Sequence, residues 1–435
     1  MAPLQQLPSS LSGSTCFLQF YNMADVLDID KEAGLVFDAT RWIGCGQAYK
    51  DVPLYVCKAF TSTCKIPDDV MASYIPSPQV PIIEFINLPL PAQSSELITT
   101  RPAAWFSTDP PDKNATQLLL SRTIPPKAHL DKLEAEMGQA WFNGNISIID
   151  HRFNSGRDRL PWWAPTYWQL ISKIIRMQTD WKRAKGWIEA NAKNIPSHPT
   201  PEVVLAAHPW NSPLHRNSCL TTHTLAQLLT DRWLNDDIML LMIGHLQDRL
   251  QQDPVLNAST IIAPSLFYTV IEKAAQRNNF DLPALQRVEN QVKYGTQHHL
   301  WLGGFIGGNH EIALQIDFEK KQLAYGVLLQ SKMIAQKLIN TFEGDSLAGS
   351  YPPPRALLAA IQKWLRARFN GPFVDQGDSI AHGVQFDASS YLICSANTIA
   401  HGVFGDKIWE QSAQAFHRLT WFSTLLQPRI VKVYF

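Results

Sequence analysis

His382-Gly383-Val384-Gln385-Phe386-Asp387-Ala388-Ser389-Ser390-Tyr391-Leu392-Ile393-Cys394, continued by Asn397-Thr398-Ile399-Ala400-His401, is the stretch that orders the rest of this 435-residue chain. Its first half is polar and turn-forming, whereas Leu392 to Ala400 is mostly apolar. That change marks a loop running into a helix, with Ser390 next to the helix start. A helix mouth gathers unpaired backbone N–H groups and the positive end of the helix dipole, so it favours negative charge on a side chain placed there. Gln385 lies six residues before Tyr391. A carboxamide in that loop can aim its N–H at the same point, the arrangement that steadies an oxyanion during acyl transfer.

Upstream, Trp301-Leu302-Gly303-Gly304-Phe305-Ile306 precedes Asn309-His310, and Ile312 to Asp317 follows as an alternating or fully buried strand ending at Glu319-Lys320-Lys321. Strand-histidine-strand followed by glutamine-loop-helix resembles the catalytic segments of the ubiquitin-like-protein proteases, the SUMO-deconjugating and adenain-like cysteine peptidases. The resemblance covers about residues 206 to 430, and its strongest matches are three short stretches. It implies an α+β, papain-like peptidase fold in the C-terminal half, a central mixed sheet with flanking helices. It makes His310 the general base, Gln385 the oxyanion donor and Tyr391 the occupant of the nucleophile position, where the family has cysteine. The family usually carries tryptophan directly after its histidine; this chain has Glu311.

A triad of this kind needs a carboxylate to orient the imidazole. After Leu323-Ala324-Tyr325-Gly326 the family pattern continues Asp-Ser-Leu, whereas this chain reads Val327-Leu328-Leu329, and Gly344-Asp345-Ser346-Leu347 comes later. We read 327–344 as an eighteen-residue insertion, with translated intron sequence as one origin, because its removal joins Tyr325-Gly326 to Asp345-Ser346-Leu347. Asp345 is then the orienter. In the other reading Val327 continues the strand and Asp345 belongs to an unrelated loop.

The residue at the nucleophile position decides the chemistry. A cysteine thiol ionises near pH ~8.5 and a tyrosine phenol near ~10, and the phenol is larger and displaced from a site built around a two-atom side chain. Ser390 is the neighbour of that position, and Cys394 lies one helical turn further in with Ala388, not glutamine, six residues before it. Cys394 reads as a buried structural thiol. The expectation is a domain that retains the family's binding surface for a ubiquitin-like modifier or its conjugates, with little or no turnover. Two alternatives stay open: an active cysteine isopeptidase whose nucleophile lies elsewhere, and a serine hydrolase using Ser346.

Thr221 to Leu229 reads as a capped helix, and Trp233-Leu234-Asn235-Asp236-Asp237-Ile238 resembles the family's opening segment, followed by an apolar helix from Met239 to Leu250. By that resemblance Trp233, Leu234 and Asp236 border the groove for a modifier's extended tail. The plainer readings are a tryptophan that packs the helix and ordinary first-turn acids.

At this length two or three units are expected: an irregular, strand-containing unit over 1–125, a helical Trp-rich region with a linker over 126–205, and the protease-like domain over 206–435. Trp162, Trp163, Trp168, Trp181 and Trp187 read as packing residues, and Asn194 to Pro201 as the linker. Formal charge is zero, with 38 basic and 38 acidic residues and no dense Lys/Arg run, which argues against nucleic-acid binding. The six cysteines form no Cys-x-x-Cys pair and no zinc-like set with histidine. No metal or other cofactor is expected, and the compartment is read as reducing and intracellular, nucleus or cytoplasm. No charged start with an apolar core follows Met1, and no apolar run is long enough to span a bilayer. Oligomeric state is not legible.

Overall fold

A computed structural model describes residues 60–96, 98–194, 200–214, 220–306, 310–326, 355–385, 387 and 389–427. Two compact units emerge, one formed by residues up to Ile75 with Pro89–Ile175, the other by Pro76–Leu88 with Arg176–Phe435. The span 126–205, read from the sequence as a region of its own, is thus divided between them. The strand-like runs at 34–37 and 53–57, most of the linker, and the segment 327–344 with Asp345 and Ser346 lie outside the described residues.

The first unit contains a small antiparallel sheet in the order β1 (Phe106–Ser107), β2 (Ser147–Ile149), β3 (Arg159–Pro161). It also holds helix α1 (Lys127–Phe142) and the opening turns of the long helix α2 (Ala164–Asn191). Leu130, Leu133 and Met137, spaced for one helix face, are all buried. Trp105 and Trp168 meet edge to face in its core, with ring centroids 6.4 Å apart. Asp150, 1% exposed, receives two bonds from the Arg152 guanidinium, Nε at 2.9 Å and Nη2 at 2.8 Å.

The second unit is organised by a five-stranded mixed sheet in the order β4 (Thr260–Ile262), β5 (His299–Ile306), β6 (His310–Asp317), β7 (Gln322–Gly326), β8 (Val374–Asp378). The outer pairs β4–β5 and β7–β8 are parallel, and β5–β6–β7 is an antiparallel meander. Its longer helices include α3 (Asp236–Gln252), α4 (Phe267–Arg277), α5 (Pro283–Tyr294), α6 (Arg355–Arg368), α7 (Tyr391–Phe404) and α8 (Gln414–Leu426). Strand periodicity sorts the sheet's faces. Leu300, Leu302, Ile312, Leu314 and Ile316 join Ile271, Ile361 and Trp364 in one core on the side of α4 and α6. The intervening residues point the other way: Trp301 lies against Gly402 of α7 and Gly303 against Met239 of α3. The α+β architecture, a central mixed sheet flanked by helices, is therefore present.

Local signals account for the elements nearest the site. Thr221 and Thr224 form a capping box before the 3-10 helix Thr222–Leu229. The Asn235 side chain accepts from Ile238 N to start α3, with Asp236 and Asp237 in its first turn where the dipole favours acids. Helix α7 ends at Gly405, whose φ of 73° is the left-handed cap conformation glycine adopts without strain.

Candidate functional site

Tyr391 is the first residue of α7, and Ser390 precedes it as N-cap without a side-chain cap bond of its own. The turn before it is built by Asp387: its Oδ1 accepts from Ser389 N at 2.6 Å and Ser389 Oγ at 2.9 Å, and its Oδ2 from Gln411 Nε2 at 2.8 Å. This side-chain-to-backbone turn sets the entry into the helix. Burial opposes ionisation of Asp387, yet bonds from Gln411 and Ser389 hold its carboxyl below the ordinary value. Gln414 Nε2, at the first residue of α8, donates to Ser390 Oγ at 3.0 Å.

Gln385 is buried in the same loop. Its Nε2 donates to the Asp387 carbonyl, and its Oε1 is buried with no hydrogen-bond partner among the described residues. The carboxamide is thus within the turn that launches α7, with its donor engaged by that turn.

Tyr391 is 6% exposed, and the Trp233 ring meets it edge to face, centroids 5.7 Å apart at 74°. Trp233 itself is 50% exposed, so one flank of the indole packs on the phenol while the other remains accessible to solvent. Leu234 is buried, and Asp236 is exposed at the start of α3. The structure thereby brings Trp233, Asp236 and Tyr391 to one place. Burial, then the charges of Glu311 and Asp236, push the Tyr391 phenol up to about 12.

Glu311 is the second residue of β6, completely buried, with both carboxyl oxygens lacking a hydrogen-bond partner among the described residues. It occupies room left by Gly303 on the neighbouring strand, where a Cβ would overlap its Oε1. Burial first, and Asp236 second, drive its pKa well above the ordinary carboxylate value. His310 opens β6 with its backbone opposite Ile306. The side chain of His310 and the whole of Asp345 lie outside the described residues.

Two further observations bear on proton chemistry nearby. His382, packed over Gly326 at the end of β7, has Nε2 2.9 Å from Asp378 Oδ1 and Nδ1 3.0 Å from the Gly383 carbonyl. Cys394 is fully buried in α7, and burial pushes its thiol well above the ordinary value. No cluster of three or more metal-ligating side chains occurs among the described residues, and no described helix is long and apolar enough to cross a membrane.

Reading the sequence misses the supports of this site: Asp387, Gln411, Gln414 and Arg418. The Arg418 guanidinium, on α8, is completely buried. A helical-period count carries the clue, since Arg418 shares a face with the buried Ala415, Leu419 and Phe422.

No protein-family model matches this chain, and no curated protein sequence matches it. Among solved structures it is similar to the SUMO protease Ulp1 with its catalytic cysteine oxidized to a sulfonic acid, at 15% identity and TM-score 0.33, over 50% of this chain and 87% of that one. It is also similar to the C-terminal Ulp1 protease domain in complex with Smt3, the yeast ortholog of SUMO, at 17% identity and TM-score 0.34, over 56% and 93% of the two chains. A de-sumoylating protease aligns at 11% identity and TM-score 0.31, over 48% and 85%.

Proposed function

We propose that residues 206–435 form a papain-like domain of the ubiquitin-like-protease type that has exchanged its nucleophile for Tyr391 and binds a ubiquitin-like modifier or its conjugates without cleaving them. The observation that carries this reading is the half-exposed Trp233 indole set edge-on against Tyr391 at the mouth of α7, with buried Gln385 in the loop that leads there. Trp233 and Asp236 line the groove for the modifier's tail, with Leu234 as its floor. His310 is the vestigial general base and Asp345 its orienter.

Two electrostatic facts support loss of turnover. A nucleophile at a helix mouth works through a lowered pKa, and the phenol here is pushed up to about 12. The thiol inside the helix, Cys394, is buried and driven the same way, so the reading of an active isopeptidase with a displaced nucleophile has no support from it. Ser346 lies outside the described residues, and labelling by a fluorophosphonate that disappears in Ser346→Ala tests the serine alternative directly.

The decisive experiment combines a titration with a trap. Calorimetric titration of the full chain with a panel of ubiquitin-like proteins should find a binder, with Trp233→Ala weakening it by about tenfold or more, as for an aromatic anchor at an interface centre. A modifier carrying a C-terminal electrophile should leave the wild-type chain unmodified and react with Tyr391→Cys. Covalent labelling of the wild type, or absence of any binder in the panel, overturns the proposal.

A further inference from the structure

The buried guanidinium of Arg418 makes no direct ion pair among the described residues; its partners are oxygens from two separate segments. Nη1 donates to the Thr230 carbonyl at 2.5 Å and lies 3.5 Å from the Gln227 carbonyl, while Nη2 is 3.4 Å from the Arg232 carbonyl. The same Nη2 donates to the Ser389 carbonyl at 2.9 Å and lies 3.3 Å from Ser389 Oγ. Three acceptors thus come from the run that ends one residue before Trp233, and the others from a residue two before Tyr391. Taking a cation fully out of water is costly unless its donors are met, and here Nη1 and Nη2 are met while Nε is buried without a partner among the described residues. A planar fork of five N–H groups is the side chain able to meet carbonyls on two segments at once, which an ammonium on a single atom does less well.

We infer that Arg418 is a positioning residue that clamps the Trp233 loop to the turn before Tyr391, so that the edge-on aromatic pair at the mouth of α7 exists only while the guanidinium is in place. Neighbouring bonds stiffen each side of the clamp. Trp187 Nε1 holds Asp231 at 2.8 Å, and Gln227 Oε1 accepts from Asn235 N at 3.2 Å, so the Trp233 loop is stiff within itself. Gln411 and Gln414 bond the Asp387–Ser390 side. The coupling is a property of the fold; its meaning for tail binding rests on the proposed function.

The test uses the full chain labelled with 5-fluorotryptophan, the Trp233 resonance being assigned with Trp233→Phe. In Arg418→Met the Trp233 line should move to the position it takes in Tyr391→Ala. Backbone amide exchange over 227–235 and 389–393 should quicken by about tenfold or more, as expected when a local opening is made easier, while exchange in β5 and β7 stays at the wild-type rate. Arg418→Lys, which keeps the charge and loses the fork, should move the same readouts in the same direction, and it decides the matter where Arg418→Met does not fold. A folded variant with the Trp233 line and both exchange windows unchanged overturns the inference. Failure of the wild-type chain to bind any modifier, with these shifts present, overturns the functional reading alone.

Discussion

At the position of Tyr391 the surroundings work against charge: the ring is buried, the nearest acids are Asp236 and Glu311, and the phenol's pKa rises from 10.0 to about 12. Because the folded-state value lies above the unfolded one, the contribution to stability is complete below pH 10.0 and is lost as pH rises towards about 12. A phenolate difference spectrum, wild type minus Tyr391→Phe, should therefore show a midpoint near 12; a midpoint at the ordinary tyrosine value would place the ring in water. Glu311 follows the same sign. Its raised value means that stability falls as pH climbs above the ordinary carboxyl value of 4.5, where the unfolded chain ionises and the folded one resists. Urea midpoints of wild type and Glu311→Gln should converge at acid pH and separate above it, the wild type becoming the weaker. Parallel curves across that range would contradict the buried-acid assignment.

Among the elements, α7 depends on a glycine for its place against the sheet. Gly402 admits the Trp301 indole where a Cβ would overlap the ring. Replacing an interior helical glycine by alanine ordinarily stabilises by about 0.5–1 kcal/mol. Here Gly402→Ala should instead cost roughly 1–3 kcal/mol by overpacking, measured as a lower urea midpoint of the full chain; a stabilised variant would show that α7 stands further from β5. Element boundaries near the site were legible in the sequence where local chemistry is strong. The cap at Thr221 and the apolar run of α7 both mark structured segments, and the alternation from Ile312 to Asp317 marks β6. Strand β8 was not legible, because Val-Asp-Gln-Gly-Asp has neither alternation nor β-formers beyond its first residue. It is a strand through its parallel pairing with β7, an outside influence that overrides propensity.

For the molecule as a whole, two compact units imply that damage to one is read out first within that unit. Asp150→Ala leaves the buried Arg152 guanidinium without its bidentate partner, which should cost about 3–5 kcal/mol. Deuterium uptake should rise within 98–175, around β2 and Trp105. Uptake that rises equally across the five-stranded sheet would argue against two units. The tryptophan-rich stretch now has a physical role. Trp162, Trp168, Trp181 and Trp187 are all buried, as their helical spacing suggests, so they serve as core residues.

What the sequence determined alone is what depends on neighbours along the chain: the loop-to-helix change at Tyr391, the strand pattern after His310, and a cysteine one turn inside its helix. The partnerships were decided by the tertiary structure. Trp233 meets Tyr391 across more than half the domain's length, and Arg418 reaches carbonyls 186 to 191 residues away as well as Ser389 at 29. Glu311 reads from the sequence as a mere departure from a pattern; the fold makes it a buried acid with a raised pKa, because Gly303, on the adjacent strand, leaves it room and its carboxyl oxygens find no hydrogen-bond partner among the described residues. Short-range rules of capping and periodicity act within a few residues and can be read in one dimension. Burial and hydrogen-bond satisfaction are sums over whatever the folded chain brings near, and they exist only once it has closed.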